Sequence, residues 1–210
     1  SLLLDEFGDD AWAERWREDG AICPEDVHDA DWSRAPDGLR LSGLGGRCLD
    51  LGREYLPPSA SFHIAAHAAS GEEAAVGYVV LADAARRACA WVYLELHRDV
   101  VGSPSISCWV NDRRVDLSGW PWPTPLEVSF ELDWATKDLT DVHVGGVRPF
   151  RGECLDFHSG ACRGVRFVSL SSRRGSGAEA RWESLQLAAE RRTVPPPSRR
   201  AWPPQLAMLL

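Results

Sequence analysis

Three stretches between residues 88 and 134 alternate in side-chain character with a period of two, and a β-sheet is the structure that uses such a pattern. Ala90 to His97 places Val92, Leu94 and Leu96 on one side and Trp91, Tyr93, Glu95 and His97 on the other. Ile106 to Asn111 opposes Ile106, Cys108 and Val110 to Ser107, Trp109 and Asn111. Leu126 to Trp134 opposes Leu126, Val128, Phe130, Leu132 and Trp134 to Glu127, Ser129, Glu131 and Asp133. One face of each strand therefore belongs in a core. The second faces carry aromatic rings, carboxylates and a histidine, where an ordinary solvent face carries Lys, Thr and Ser. That composition suits a surface that binds or cleaves sugars.

The chain has 210 residues, which fits one β-sandwich or barrel, and 44% of them are hydrophobic, enough for a substantial core. The net charge of -8 argues against nucleic acid, whose phosphates need a basic surface. No apolar run approaches the length of a membrane-spanning helix, so no membrane insertion is expected. Ser1 to Leu4 is too short for a signal peptide and lacks its basic start. The six cysteines, at 23, 48, 89, 108, 154 and 162, form no Cys-x-x-Cys pair of the kind zinc sites use. Their even number fits disulfides in a secreted or otherwise extracytoplasmic protein, and the alternative is reduced thiols buried as small apolar groups. Cys154 and Cys162 flank a short loop and are the first pair to expect. Cys89 and Cys108 lie on neighbouring strands and are a second.

Along the chain, a strand over Leu2 to Glu6 precedes a helical turn carrying Trp12 and Trp16, with Asp9 or Asp10 placed to cap it. Pro36-Asp37-Gly38 marks a turn, and Gly43-Leu44-Gly45-Gly46 is a flexible turn between strands, since no helix follows it as a phosphate loop requires. In the strand over residues 61–69, His63 and His67 share a face. Their rings are about 13 Å apart at ~3.3 Å per residue, too far to share one metal ion, so they are assigned to a ligand face beside Trp91 and Tyr93. Gly119 to Pro125 is a proline-locked loop whose Trp120 and Trp122 either stack on sugar rings or pack on the sandwich edge. Cys154 with His158 reads as a loop staple rather than a thiol nucleophile, because no third orienting residue is identifiable. Residues 191–210 form a Pro- and Arg-rich tail or linker beyond a domain spanning residues 1–190.

The order Asp5-x-Phe7, Trp16, Trp32, Asp37-Gly38-Leu39-x-Leu41-x-Gly43 and Ser61-Phe62-His63-Ile64 resembles the entry of concanavalin A-like lectin/glucanase domains, including laminin-G-like modules. Val165 to Leu170, a glycine-rich turn and Trp182 to Leu187 resemble their end. The resemblance covers about residues 2–188. It implies an all-β fold, a two-sheet antiparallel jelly-roll sandwich, with a concave sheet lined by Trp91, Tyr93, Trp109 and His97. It also implies a structural calcium ion near the chain ends, for which Asp5, Glu6, Asp9 and Asp10 offer oxygens, Asp5 and Asp9 first.

Three functions are compatible with this sequence. A glycosidase needs two carboxylates about 5–5.5 Å apart for retention or ~6.5–9.5 Å for inversion. Glu127, Glu131 and Asp133 on one strand, with Glu95 on a nearby one, are the candidates for a glycoside hydrolase or polysaccharide lyase. The Glu-x-Asp-x-x-Glu motif of laminarinase-type glucanases is matched at Glu131 and Asp133, but its third position is Thr136. A laminin-G-like protein-interaction or structural domain would use loops at the sandwich edge. The reading adopted from sequence is a non-catalytic carbohydrate-binding module. Its glycan is held by Trp91, Tyr93, Glu95, His97 and Trp109, with His63, His67, Trp120 and Trp122 as further contacts and with no cofactor.

Overall fold

The computed structural model describes residues 3–5, 7–18, 31–36, 38–42, 45–68, 74–98, 104–117, 119–120, 124–173 and 178–189. Trp122, Cys23, Glu6 and the tail expected over residues 191–210 lie outside them. In chain order the elements are β1 (Leu3–Asp5), α1 (Trp12–Arg15), β2 (Arg17–Glu18), β3 (Asp31–Ala35), β4 (Gly38–Ser42), β5 (Gly45–Tyr55), β6 (Ser59–Ala68) and β7 (Ala74–Ala82). They continue with β8 (Ala88–Arg98), β9 (Pro104–Val110), β10 (Arg113–Asp116), β11 (Leu126–Asp133), β12 (Asp138–Val144), β13 (Leu155–Asp156), β14 (Val165–Arg173) and β15 (Ala178–Leu187).

These strands form two antiparallel sheets. The eight-stranded sheet runs β13-β12-β11-β6-β15-β4-β3, with β1 joining β4 on one edge of β15. The seven-stranded sheet runs β10-β9-β8-β7-β14-β5-β2. The chain crosses between sheets at β1 to β2, β2 to β3, β4 to β5, β5 to β6, β6 to β7, β10 to β11, β13 to β14 and β14 to β15, so neither sheet is a simple meander. The expected all-β two-sheet sandwich is the architecture observed.

The period-two reading holds within each strand. Val92, Leu94, Leu96, Ile106, Cys108 and Val110 enter the core from one sheet, and Leu126, Val128, Phe130 and Leu132 from the other. Fully burying a side chain of this size contributes about 1.5–3 kcal/mol, so the two inner faces supply the main stabilisation. The three alternating stretches do not share one sheet, however: β8 and β9 lie in the seven-stranded sheet and β11 in the eight-stranded one. Trp134 falls in the turn after β11, half-buried, with its Nε1 donating to the Pro57 carbonyl at 2.8 Å.

The N-terminal segment closes one end of the core. Trp16 is fully buried, packs on Phe7, and donates through Nε1 to Asp5 Oδ2 at 2.8 Å. Trp12, Trp32 and Trp182 continue this aromatic cluster. Gly38 has a φ of 135°, and a Cβ there would meet the Trp182 carbonyl oxygen at 2.3 Å, so the turn into β4 requires glycine. At the other end, Asp83 organises the turn between β7 and β8. Its Oδ1 accepts from the Ala85 and Arg87 backbone N–H groups, and its Oδ2 accepts from Arg87 Nε at 2.8 Å. Burial pushes its carboxyl up, but the Arg87 guanidinium and the two backbone donors outweigh burial and hold it below its ordinary value.

The disulfide joins Cys89 to Cys162, with Cα atoms 5.3 Å apart. Both expected pairings are therefore corrected: Cys154 is exposed with a free thiol, and Cys108 is a free buried thiol on the core face of β9. Cys108 pairs in register with Leu94, whereas Cys89 stands at the start of β8, so neighbouring strands did not bring these two cysteines level.

Candidate functional site

On the seven-stranded sheet, the face turned away from the core carries a bank of aromatic rings. Register places Tyr78 opposite Tyr93, and Tyr93 opposite Trp109, across β7, β8 and β9. Ring centroids are 4.8 Å apart for Tyr78 and Tyr93, 5.0 Å for Trp91 and Tyr93, and 5.6 Å for Tyr93 and Trp109. The planes of these pairs lie within 10–24° of parallel. Coplanar rings cannot approach so closely, so the rings overlap in offset stacks and stand on the sheet. A ligand on this face meets their upper edges and the ring faces at the ends of the bank. The Trp91 Nε1 donor is buried and has no acceptor.

Polar groups close both ends. Beyond Trp109, Glu95 Oε2 accepts from Trp109 Nε1 at 3.0 Å, and the Arg114 guanidinium lies 6.0 Å from the Trp109 ring centroid. Ser107, 0% exposed, donates to Asp116 Oδ1 at 2.9 Å and accepts from Arg114 Nε at 3.0 Å. These contacts, the Ser107 bond first and Arg114 next, hold the Asp116 carboxyl below its ordinary value. Arg114 Nη2 lies 3.3 Å from His97 Nε2; when it donates there, the ring proton sits on Nδ1, 3.5 Å from Ser107 Oγ. At the other end the His158 ring meets Trp91 edge-on at 5.5 Å. The loop carrying it is clamped to β8. His158 N donates to Cys89 O and Ser159 N to Ala88 O, both at 2.9 Å, beside the disulfide. Asn111 adds a second clamp, accepting from Trp91 N and donating to Asp156 O at 2.8 Å.

The structure thus brings together Trp91, Tyr93, Glu95, His97 and Trp109. It places His63 elsewhere, on β6 in the other sheet, with Nδ1 2.8 Å from Ser184 Oγ and Nε2 4.0 Å from Glu127 Oε2. The assignment of His63 to a face beside Trp91 is corrected: its register neighbours Glu127 and Ser184 lie on the outer face of the eight-stranded sheet, across the core. The same placement separates Glu95 from Glu127, Glu131 and Asp133, so these do not form one carboxylate cluster. Asp133 has a structural role. Its Oδ1 accepts from the Ala135 and Thr136 N–H groups, Thr136 first in effect, which holds its carboxyl low. Trp120 packs against the core with Nε1 donating to Thr124 O at 3.0 Å, the edge-packing alternative. The His67 side chain and Trp122 lie outside what is described.

Asp5 and Asp9 do not fit a calcium ion. Asp5 accepts from Phe7 N, Trp16 Nε1 and Arg15, and Asp9 from Ala11 N and Arg15, so protein N–H donors occupy the oxygens a cation would need. Asp10 pairs with Arg34 at 3.3 Å. Among the described residues no group of three or more His, Cys, Asp or Glu side chains converges as a metal site.

Ser107, placed on this face by the alternation of its strand, completes it together with Tyr78, His158, Arg114 and Asp116, which escaped sequence reasoning. The alternation through Tyr78-Val79-Val80-Leu81 held the signal for Tyr78. The place of His158 depends on the disulfide, which no local pattern reveals.

No family model matches the sequence, and no curated protein matches it either. Solved structures do match the fold. The Crh5 transglycosylase in complex with NAG superposes with a TM-score of 0.54 at 12% identity, over 90% of this chain and 84% of that one. The T. cruzi calreticulin globular domain gives 0.52 at 8% identity, over 90% and 88%. SCLam, a non-specific endo-beta-1,3(4)-glucanase from family GH16, gives 0.51 at 11% identity, over 88% and 89%. Identities this low speak to architecture alone. Two antiparallel sheets, superposing on these structures along nearly the whole chain, give this protein the two-sheet β-sandwich architecture that they have.

Proposed function

We propose that this domain is a non-catalytic carbohydrate-binding module that holds a glycan on the aromatic face of its seven-stranded sheet. The observation that carries the reading is the bank of Tyr78, Trp91, Tyr93 and Trp109, flanked by Glu95 and His97. Aromatic edges and end faces supply apolar contact to sugar C–H groups, while a few fixed polar groups select hydroxyls. Among proteins of the same fold, one is a transglycosylase in complex with NAG and another a glucanase, which supports a carbohydrate ligand. Binding is favoured over cleavage because Glu95 lies across the core from Glu127 and Glu131, and Asp133 is committed to a turn. The Cys89–Cys162 disulfide supports a place outside the cytoplasm.

The test is a polysaccharide panel scored for retention of the protein and for release of reducing or unsaturated ends. Retention without release is expected. Release of ends would replace this reading with a hydrolase or lyase, and neither signal would favour a protein-interaction domain.

A further inference from the structure

Three neighbouring strands of the eight-stranded sheet set Glu127, His63 and Ser184 in one row on its outer face: Glu127 of β11 opposes His63 of β6, and His63 opposes Ser184 of β15. A bulge puts the serine there. Trp182 is fully buried, so strict alternation would turn Ser184 toward the core as well. Trp182 opposes Ile64 while Ser184 opposes His63, so β15 carries one residue more than β6 between them, and that residue, Glu183, turns Ser184 outward. Alternation then resumes, with Leu185 and Leu187 buried and Gln186 exposed.

The row has the order of a nucleophile, a base and a carboxylate. Ser184 Oγ lies 2.8 Å from His63 Nδ1, and Glu127 Oε2 lies 4.0 Å from His63 Nε2. The carboxylate favours the tautomer with its proton on Nε2, which leaves the Nδ1 lone pair facing the serine hydroxyl. The His63 side chain is 40% exposed, so a substrate can reach the pair. Beside the row, on the same face, lies a cavity of 300 Å³ whose walls include Ser61, Ser129, Glu131, His143 and Gln186. Ser61 and Gln186 oppose each other two residues from His63 and Ser184, about 6.6 Å away at ~3.3 Å per residue. The Gln186 amide and the Ser61 hydroxyl supply donors for an oxyanion on that side.

We propose that this row is a second site, a catalytic one, which hydrolyses neutral O-acyl esters of polyols with Ser184 as nucleophile, His63 as base and Glu127 positioning His63. It lies across the core from the aromatic bank, breaks no glycosidic bond and does not depend on the carbohydrate-binding reading. Ser184 Oγ attacks the ester carbonyl carbon as its proton passes to His63 Nδ1. The C–O bond to the alcohol then breaks, and the alcohol leaves with that proton. Water next gives a proton to His63 Nδ1 while its oxygen adds to the acyl group. The bond to Ser184 Oγ breaks, the proton returns to that oxygen, and the carboxylic acid departs. Hydroxyls and an amide in the cavity suit the polyol part, while Glu131 in its wall and Glu127 beside it repel an anionic one.

The experiment uses the full chain with p-nitrophenyl acetate and with O-acetylated xylo-oligosaccharides, following release of p-nitrophenolate and of acetate. Wild type is compared with Ser184→Ala, His63→Gln and Glu127→Gln, with circular dichroism verifying each fold. Wild type is expected to release acetate from both substrates and, after an acid quench, to carry an acetyl group on Ser184 in peptide mass spectrometry. Ser184→Ala and His63→Gln should each lose about a hundredfold or more in rate. Glu127→Gln should lower kcat by up to about fivefold with KM unchanged, as a positioning contact at the surface implies. Surface histidines react with p-nitrophenyl acetate unaided, so turnover that survives in folded Ser184→Ala overturns the proposal. Wild type that releases no acetate above the uncatalysed rate overturns it too. Turnover of p-nitrophenyl acetate alone, lost in Ser184→Ala, supports the catalytic row and overturns the polyol ester as its substrate. If Ser184→Ala does not fold, the presence or absence of the acetyl group on Ser184 in wild type decides.

Discussion

Removing the Cys89–Cys162 bond should cost both stability and the arrangement of the aromatic face. The two cysteines are 73 residues apart. Closing a loop of that length lowers the entropy of the unfolded chain by an amount worth about 4.4 kcal/mol at 25 °C in the chain-entropy treatment, and measured values cluster at ~2–4 kcal/mol. For a domain of this size one kcal/mol moves the melting midpoint by about 2–4 °C, so a fall of ~5–15 °C is expected. The variant to use replaces both Cys89 and Cys162 with serine, which leaves no orphaned thiol to pair with Cys48, Cys108 or Cys154. Thermal unfolding followed by circular dichroism, with and without reductant, measures the change. Wild type in reductant should approach the variant, and the variant should be indifferent to reductant. Glycan affinity should fall as well, because the bond holds the His158 loop against Trp91. A midpoint shift under about 2 °C would refute the loop-closure reasoning. An unchanged affinity in a folded variant would refute the positioning role of the loop.

Three further outcomes follow from particular contacts. Gly38→Ala should destabilise by about 2 kcal/mol or more in urea unfolding, since the new Cβ would fall 2.3 Å from the Trp182 carbonyl oxygen at a φ of 135°. Asp83 has a folded pKa below its unfolded value, so its stabilisation is complete above the unfolded value of ~3.9 and is lost as pH falls through the folded one. Asp83→Asn should therefore flatten the acid limb of a stability–pH curve below about pH 4, and an unchanged limb would count against the assignment. Burial pushes the Cys108 thiol up, so peptide mapping after brief alkylation should find Cys154 labelled and Cys108 untouched unless the protein unfolds.

The faces of the strands were legible in the sequence because alternation is local. Trp91, Tyr93, Glu95 and His97 could be set against Val92, Leu94 and Leu96 without knowing any neighbour. Which sheet a strand joins is decided by pairings between distant segments, and here the sequence misled. β9 and β11 are close in sequence, with only β10 between them as a strand, yet they lie in opposite sheets. Glu127 and His63 consequently share a surface that excludes Trp91. The disulfide was misread for a related reason. Cys154 and Cys162 are near in sequence, but the backbone bonds of His158 and Ser159 to β8 bring Cys162 to Cys89 instead. Asp133 looked catalytic because a carboxylate two residues from Glu131 shares its face, and the turn that occupies it begins one residue later.

Whether the glycan sits on the aromatic face is decided by comparing the two outer surfaces for the best-retained glycan of the panel. Calorimetric affinities would be measured for Trp91→Ala and Trp109→Ala on one surface, and for His63→Ala and Glu127→Ala on the other, with circular dichroism verifying each fold. At least about a tenfold loss is expected for each tryptophan, as stacking contacts of ~1.5 kcal/mol imply, and affinities within about twofold of wild type for His63 and Glu127. Loss of binding in the His63 and Glu127 variants, with the tryptophan variants unaffected, would move the site to the opposite sheet and contradict the assignment of the aromatic bank.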